Sequence, residues 1–175
     1  AHADPTAQLP LVAVTLNAEI DVASTRGRRT LSAADFFLSV MTTALAHDEV
    51  IVAIRFPAAA PGEGAAFRIF SRRHGDFAIV AVAATMTVAD AHISAVRIGI
   101  GGVGPIPVAY AGLCRRFIGQ PADESRVKVL AQVVRDAVEP EDNPRIPAEF
   151  RRELAQTLTE RALTRALGKA QGNAA

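Results

Sequence analysis

The chain has 175 residues, half of them hydrophobic, with 19 basic and 18 acidic side chains and a formal net charge of +1. That balance describes a folded chain with a sizeable core, one domain or two small ones, and excludes the strongly basic surface of a nucleic-acid binder. A lone cysteine excludes a disulfide framework or thiolate metal site and fits a reducing cytoplasm, and no apolar run reaches the ~20 residues of a membrane helix.

The opening A-H-A-D-P has no Met and reads as a piece of a longer protein. Asp4 before Pro5 has the form of a helix N-cap followed by a first-turn proline, so a short helix is expected over 5–16. Glu19 to Ser24 alternates as a strand, and Arg26-Gly27 turns it into a partner ending near Leu31. Ser32, with Asp35 three residues on, has capping-box spacing and starts a helical turn carrying Phe36, Phe37 and Leu38. The run 50–56 is a strand stopped by Pro57, and Pro61 to Gly64 is a loop. Residues 66–71 form a strand that breaks off at Arg72, Arg73, His74, Gly75 and Asp76. The apolar runs 79–88 and 93–100 are strands joined at Asp90-Ala91, and G-G-V-G-P ends the second. From Val108 the period changes to that of helices: 108–118, 124–138 and 148–167, with a breaker-rich link at 140–147 and Gly168 closing the last. Strands first and helices last is an α+β pattern, a sheet with helices packed on one face.

Few residues announce chemistry. His2, His47 and His92 lie in polar surroundings, and no pair of histidines has metal-ligand spacing. Two cations beside His74 oppose a metal ion there. Cys114 sits beside Arg115 and Arg116, which would lower its pKa, although a single cysteine on an amphipathic helix is usually a packing residue. The glycine loop before Pro105 lacks the Lys-Ser/Thr of a phosphate loop and reads as a turn needing permissive φ. The charged loop has two readings. It is a solvated hairpin tip with an internal Arg–Asp pair, or it faces a ligand.

The order A-H-A-D-P, D-E-V-I-V-A-I-R-F-P, A-F-R-I-F-S-R-R-H-G-D-F-A-I-V, G-I-G-G-V-G-P-I-P-V and E-F-R-R-E-L-A resembles the FAD-binding medium subunit of molybdenum hydroxylases, the aerobic carbon monoxide dehydrogenase and xanthine dehydrogenase family. The resemblance covers nearly the whole chain. It implies that residues 1–60 are the C-terminal part of the FAD-binding (PCMH-like) domain. Residues 61–175 are then a C-terminal flavoprotein domain of antiparallel sheet with helices on one face. It implies an oxidoreductase component that passes electrons from [2Fe–2S] centres on a small partner subunit through FAD to NAD, a quinone or oxygen. The molybdenum cofactor would sit on a large partner subunit of the same hetero-oligomer. The family's glycine-rich phosphate-gripping segments would precede Ala1, so the fragment alone is expected to be inactive and to hold FAD weakly. The alternative is a structural module that docks partner subunits and binds no flavin.

Residue by residue, the acid that contacts the flavin nucleotide after A-D-P maps to Gln8, a departure that keeps hydrogen bonding but brings no charge. Ile51 maps to an aliphatic residue lying against the cofactor, and Arg68 to a basic residue near the isoalloxazine. Arg72, Arg73 and Asp76 map to the loop bordering the flavin, with Phe77 as a ring neighbour.

Overall fold

The protein is described by a computed structural model covering residues 1–73, 75–142 and 145–172. His74, the middle of the 140–147 link and the end of the tail lie outside the described residues. Helix α1 (Gln8–Thr15) is followed by β1 (Glu19–Ser24), β2 (Gly27–Ser32), the single turn α2 (Ala33–Phe36), and the short β3 (Phe37–Ser39) and β4 (Thr42–Thr43). Then come β5 (Val50–Arg55), β6 (Gly64–Phe70), β7 (Val80–Ala89), β8 (His92–Gly101), β9 (Val108–Ala109), α3 (Ala111–Arg115), α4 (Glu124–Ala137) and α5 (Ala148–Ala170).

Two antiparallel sheets dominate, β2-β1-β5 and β6-β7-β8-β9. In the first, Ile20 and Val22 of β1 turn inward with Phe36 and Phe37 to make a small core. The second is the larger. Val80, Val82, Ala84 and Met86 share one face of β7, opposite Ile100, Ile98 and Val96 of β8. The alternation follows from the period of two along a strand. The C-terminal helices close that face: α5 runs along β6 and β7, and α4 packs on α5 through Leu130 and Val134. This is the α+β arrangement expected of strands followed by helices.

The other face of the larger sheet is covered too. Its inward residues are small, Ala81, Ala83, Gly99 and Gly101, and α1 lies on them. A Cβ on Gly99 would stand 1.9 Å from the Thr15 hydroxyl, so only glycine admits the helix this closely. Leu11 points into this layer, while Ala13 and Val14 point into the smaller core. Helix α1 is therefore buried on two sides, which accounts for a sequence apolar all round.

Several local expectations shift. Asp4 does not cap a helix. Its carboxylate accepts from the Thr6 N–H (2.8 Å) and hydroxyl (2.6 Å), forming a turn that delays α1 to Gln8. Ser32 does cap α2, accepting from the Asp35 N–H, but Phe37 already belongs to β3. The expected helix 108–118 is split, because the Tyr110 N–H donates to the Ile98 carbonyl and Val108–Ala109 adds a strand to the sheet. Gly168 does not end α5, which continues to Ala170. Asp90 and Ala91 both take positive φ (49° and 62°), making the tight turn that joins β7 to β8.

Candidate functional site

The delayed start of α1 creates the first feature. Ala7 occupies the N-cap and gives no side-chain cap, so the first N–H groups and the positive end of the helix dipole have no side-chain partner there. That end of the helix borders a cleft of about 250 Å³ lined by Thr6, Ala7 and Gln8 on one side and by Ile69 and residues 75–78 on the other. Gln8 thus meets Asp76 and Phe77 across a sequence gap of nearly seventy residues.

The charged loop forms the far wall. Gly75 takes φ +81°, a conformation that glycine accommodates without strain. The Asp76 carboxylate accepts from the Phe77 N–H at 2.8 Å, and the Asp76 N–H donates to the Arg73 carbonyl at 3.1 Å. Arg72 reaches across to the Arg145 carbonyl at 3.2 Å. The expected Arg–Asp pair does not form: no ion pair among the described residues joins Arg72 or Arg73 to Asp76. Arg72 and Arg73 are exposed and outside the lining of the cleft, whereas Phe77 lines it and is 71% exposed. An aromatic ring that exposed has an apolar face available for a ligand.

Two of the sequence-derived residues lie elsewhere. Ile51 sits on β5 opposite Val22 and packs against the smaller core. Arg68 follows Phe67 on β6 and lines a groove shared with α5, while Ile69 lines the cleft. The structure brings Gln8, Asp76 and Phe77 to one cleft and leaves Arg72, Arg73, Ile51 and Arg68 outside its lining. Residues the sequence reading passed over are Arg161, Arg165 and Lys169, which line the groove with Arg68. Their spacing of four along one helix was the available signal.

Other candidates resolve into structure. Burial pushes the pKa of the Cys114 thiol up to about 11, opposite to the lowering expected from Arg115 and Arg116, which fits a packing role for this buried side chain. Gly102 takes φ +83° and donates its N–H to the Pro5 carbonyl, and a Cβ there would meet the Ile79 carbonyl at 2.6 Å. The glycine loop thus pins the lead-in of α1 to the end of β8. No described helix is long and apolar enough to cross a membrane.

The donor set of the cleft was tested against the flavin implied by the resemblance. Helix-end N–H groups suit an oxygen-rich or anionic group. The Gln8 amide suits hydroxyls, and the Phe77 face suits the edge of a planar ring. These residues fit one flank of a flavin nucleotide.

The whole chain is similar to known flavoprotein subunits. Residues 65–166 match the family model described as the CO dehydrogenase flavoprotein C-terminal domain. Residues 1–59 match that of the FAD binding domain in molybdopterin dehydrogenase. The chain is 43% identical over 107 residues to the nicotine 6-hydroxylase medium subunit of Paenarthrobacter nicotinovorans, covering 61% of this chain and 37% of that protein. It is 31% identical over 166 residues to the carbon monoxide dehydrogenase medium chain of Hydrogenophaga pseudoflava, covering 95% of this chain and 58% of that one. A solved structure of carbon monoxide dehydrogenase from Hydrogenophaga pseudoflava superposes with a TM-score of 0.90 at 29% identity, over 96% of this chain and 58% of that chain. The chain thus spans less than two thirds of the length of these relatives.

Proposed function

The chain belongs to the flavoprotein medium subunits of the carbon monoxide dehydrogenase and xanthine dehydrogenase family, and from that premise we propose that it forms one wall of an FAD site in an electron-transferring subunit. In this reading residues 1–60 contribute to the FAD-binding domain and residues 61–175 form the C-terminal flavoprotein domain. Electrons arrive from [2Fe–2S] centres on a small partner subunit, a large partner subunit carries the molybdenum cofactor, and an external acceptor receives the electrons from the flavin.

The observation that carries the reading is the meeting of Gln8 and the uncapped end of α1 with Asp76 and the exposed Phe77 ring. Bound FAD supplies a carrier that accepts and releases electrons reversibly. The part of this chain is positional. Helix-end N–H groups and the dipole of α1 favour negative charge at the cleft floor. Arg72 and Arg73, in the loop leading to Asp76, add positive potential nearby that would favour the more anionic, reduced cofactor. Phe77 keeps water from one edge of a planar ring. Arg68 and Ile51 enter this proposal through the resemblance alone.

The test is made in the full medium subunit that contains these residues. Phe77→Ala is expected to weaken FAD binding several-fold, in line with about 0.5–1.5 kcal/mol for an aromatic contact, and to raise flavin fluorescence. An affinity and a flavin spectrum both unchanged in Phe77→Ala would overturn the reading and favour a docking role without flavin.

A further inference from the structure

We propose that the cavity between the end of α1 and the turns of α3 binds a small monocarboxylic acid with an apolar body, at a place apart from the flavin. The cavity measures about 410 Å³. None of its lining residues borders the cleft at Gln8 and Phe77. Val14, Asn17 and Ala34 close it from the FAD-binding segment, and residues of β8, β9 and α3 close it from the C-terminal domain. Small-molecule sites favour such junctions, and this volume falls within the ~300–1,000 Å³ usual for them.

The cavity arises from a gap in the edge of the larger sheet. Strand β9 covers β8 only at Gly99 and Ile100, with one further bond from the Tyr110 N–H to the Ile98 carbonyl. The chain then leaves the edge as α3 and returns at Gly119 and Gln120, which bond to Ile93. Between those points no strand runs beside Val96. Ala111, Cys114, Arg115 and Ile118 line the space at spacings of three and four, so one face of these turns is directed into it. Apart from Arg115 that face is apolar. Ile118 is half-exposed there, and an apolar ligand would cover it.

Two guanidinium groups supply the anchor. Arg115 enters no ion pair among the described residues. Its Nη2 folds back along α3, 3.9 Å from where a Cβ on Gly112 would stand. A cation also suits the end of a helix, but Arg116 at the C-cap already meets that need. Arg97 is the second group. Its ion pair with Glu63 is 3.4 Å long, against roughly 2.7–2.9 Å for a close charged bond, so most of its five N–H donors stay available. Glu63 offsets one of the two positive charges and leaves one to be met. A carboxylate brings one negative charge and two oxygens that match a guanidinium fork, whereas a phosphate ester brings more charge than the site can neutralise. The wall formed by Val14, Val96 and Ile98 takes the apolar remainder.

The experiment is calorimetric titration of the full medium subunit, loaded with FAD, by octanoate, by benzoate and by octanol as the uncharged control. The variants are Arg115→Gln, the cavity-filling Ala111→Phe and Ala34→Phe, and Arg116→Gln, which neighbours Arg115 but lies outside the lining. Flavin content and Tm are measured alongside. A filling variant that loses either is replaced by the other, and Arg115→Gln, at an exposed position, decides alone if both fail. Saturable binding of octanoate or benzoate is expected, with the preferred acid showing whether the body is a chain or a ring. Binding should weaken roughly tenfold or more in Arg115→Gln, as loss of a charged hydrogen bond implies. It should vanish in a filling variant and stay unchanged in Arg116→Gln. Three results overturn the proposal: no saturable binding of either acid at millimolar concentration, octanol binding as tightly as octanoate, or acid binding equal in wild type and Arg115→Gln. Phe77→Ala is expected to leave acid binding intact, so this site and the flavin reading fail independently.

Discussion

The two faces of the larger sheet are packed by opposite means. The face toward α4 and α5 is filled by Val, Ile, Met and Leu side chains that interdigitate over the length of β7 and β8. The face toward α1 is nearly bare, alanine and glycine, and a short helix settles almost onto the backbone. Large side chains bury more area and carry more of the stability. Small ones permit close approach, and close approach fixes where the end of α1 stands relative to the loop at 75–78. One face secures the fold, and the other sets the geometry of the candidate site.

Substitutions can break this contrast. Leu163→Ala, deep in the α5 layer, is expected to cost about 2–5 kcal/mol in denaturant unfolding; a loss below ~1 kcal/mol would deny that layer its stabilising role. Gly64→Ala comes next. Its Cβ would lie 1.9 Å from the Ala166 backbone carbonyl, so α5 itself must move, at about 1–3 kcal/mol. Gly99→Ala meets the Thr15 hydroxyl at the same distance, but a side chain can rotate where a backbone cannot. A smaller loss in Tm is expected there, with partial rescue by Thr15→Ala in a double-mutant cycle. Equal costs at Gly64 and Gly99, without rescue, would erase the difference between the faces.

The mildest test concerns a group on neither face. The Glu49 carboxylate takes two hydrogen bonds from Arg29 (2.7 Å each) and one from the Ala46 N–H (2.8 Å). Chiefly through the bond from Arg29, its pKa falls from an ordinary 4.5 to about 2. The depressed value means that its stabilising effect is present above about 4.5 and is lost as pH falls toward 2. The Tm gap between wild type and Glu49→Gln should accordingly narrow from pH 7 to pH 2.5. A gap that stays constant with pH would show the ion pair to be inconsequential.

Much of this was written in local signals. Asp123 accepts from the Arg126 N–H as an N-cap should, and Val127, Leu130 and Val134 form the buried stripe that their spacing announced. The failures have a common physical cause, partners distant in sequence. Val108 to Tyr110 has a helix-compatible pattern, yet the Ile98 carbonyl captures the Tyr110 N–H and makes a strand. Arg72 and Asp76 look like a local pair, yet the former finds Arg145 and the latter its neighbour's N–H. The approach of Gln8 to Phe77 had no local signal at all. Only the likeness to a flavoprotein family placed both residues at one site, and it could not show that Arg68 lines a different groove.

The place of α1 also has a consequence in time. The helix leaves the ribosome more than eighty residues before Gly99 and Gly101, the surface on which it must rest. At roughly 5–20 residues per second that delay is on the order of ten seconds. Throughout it, a largely apolar segment lacks half of its burial site. The small core that holds Ala13 and Val14 with Ile20 and Val22 is formed by segments made earlier and supplies its other wall. A chain slowed during synthesis between β5 and β8 would prolong that half-covered state, and α1 is where chaperone binding should concentrate.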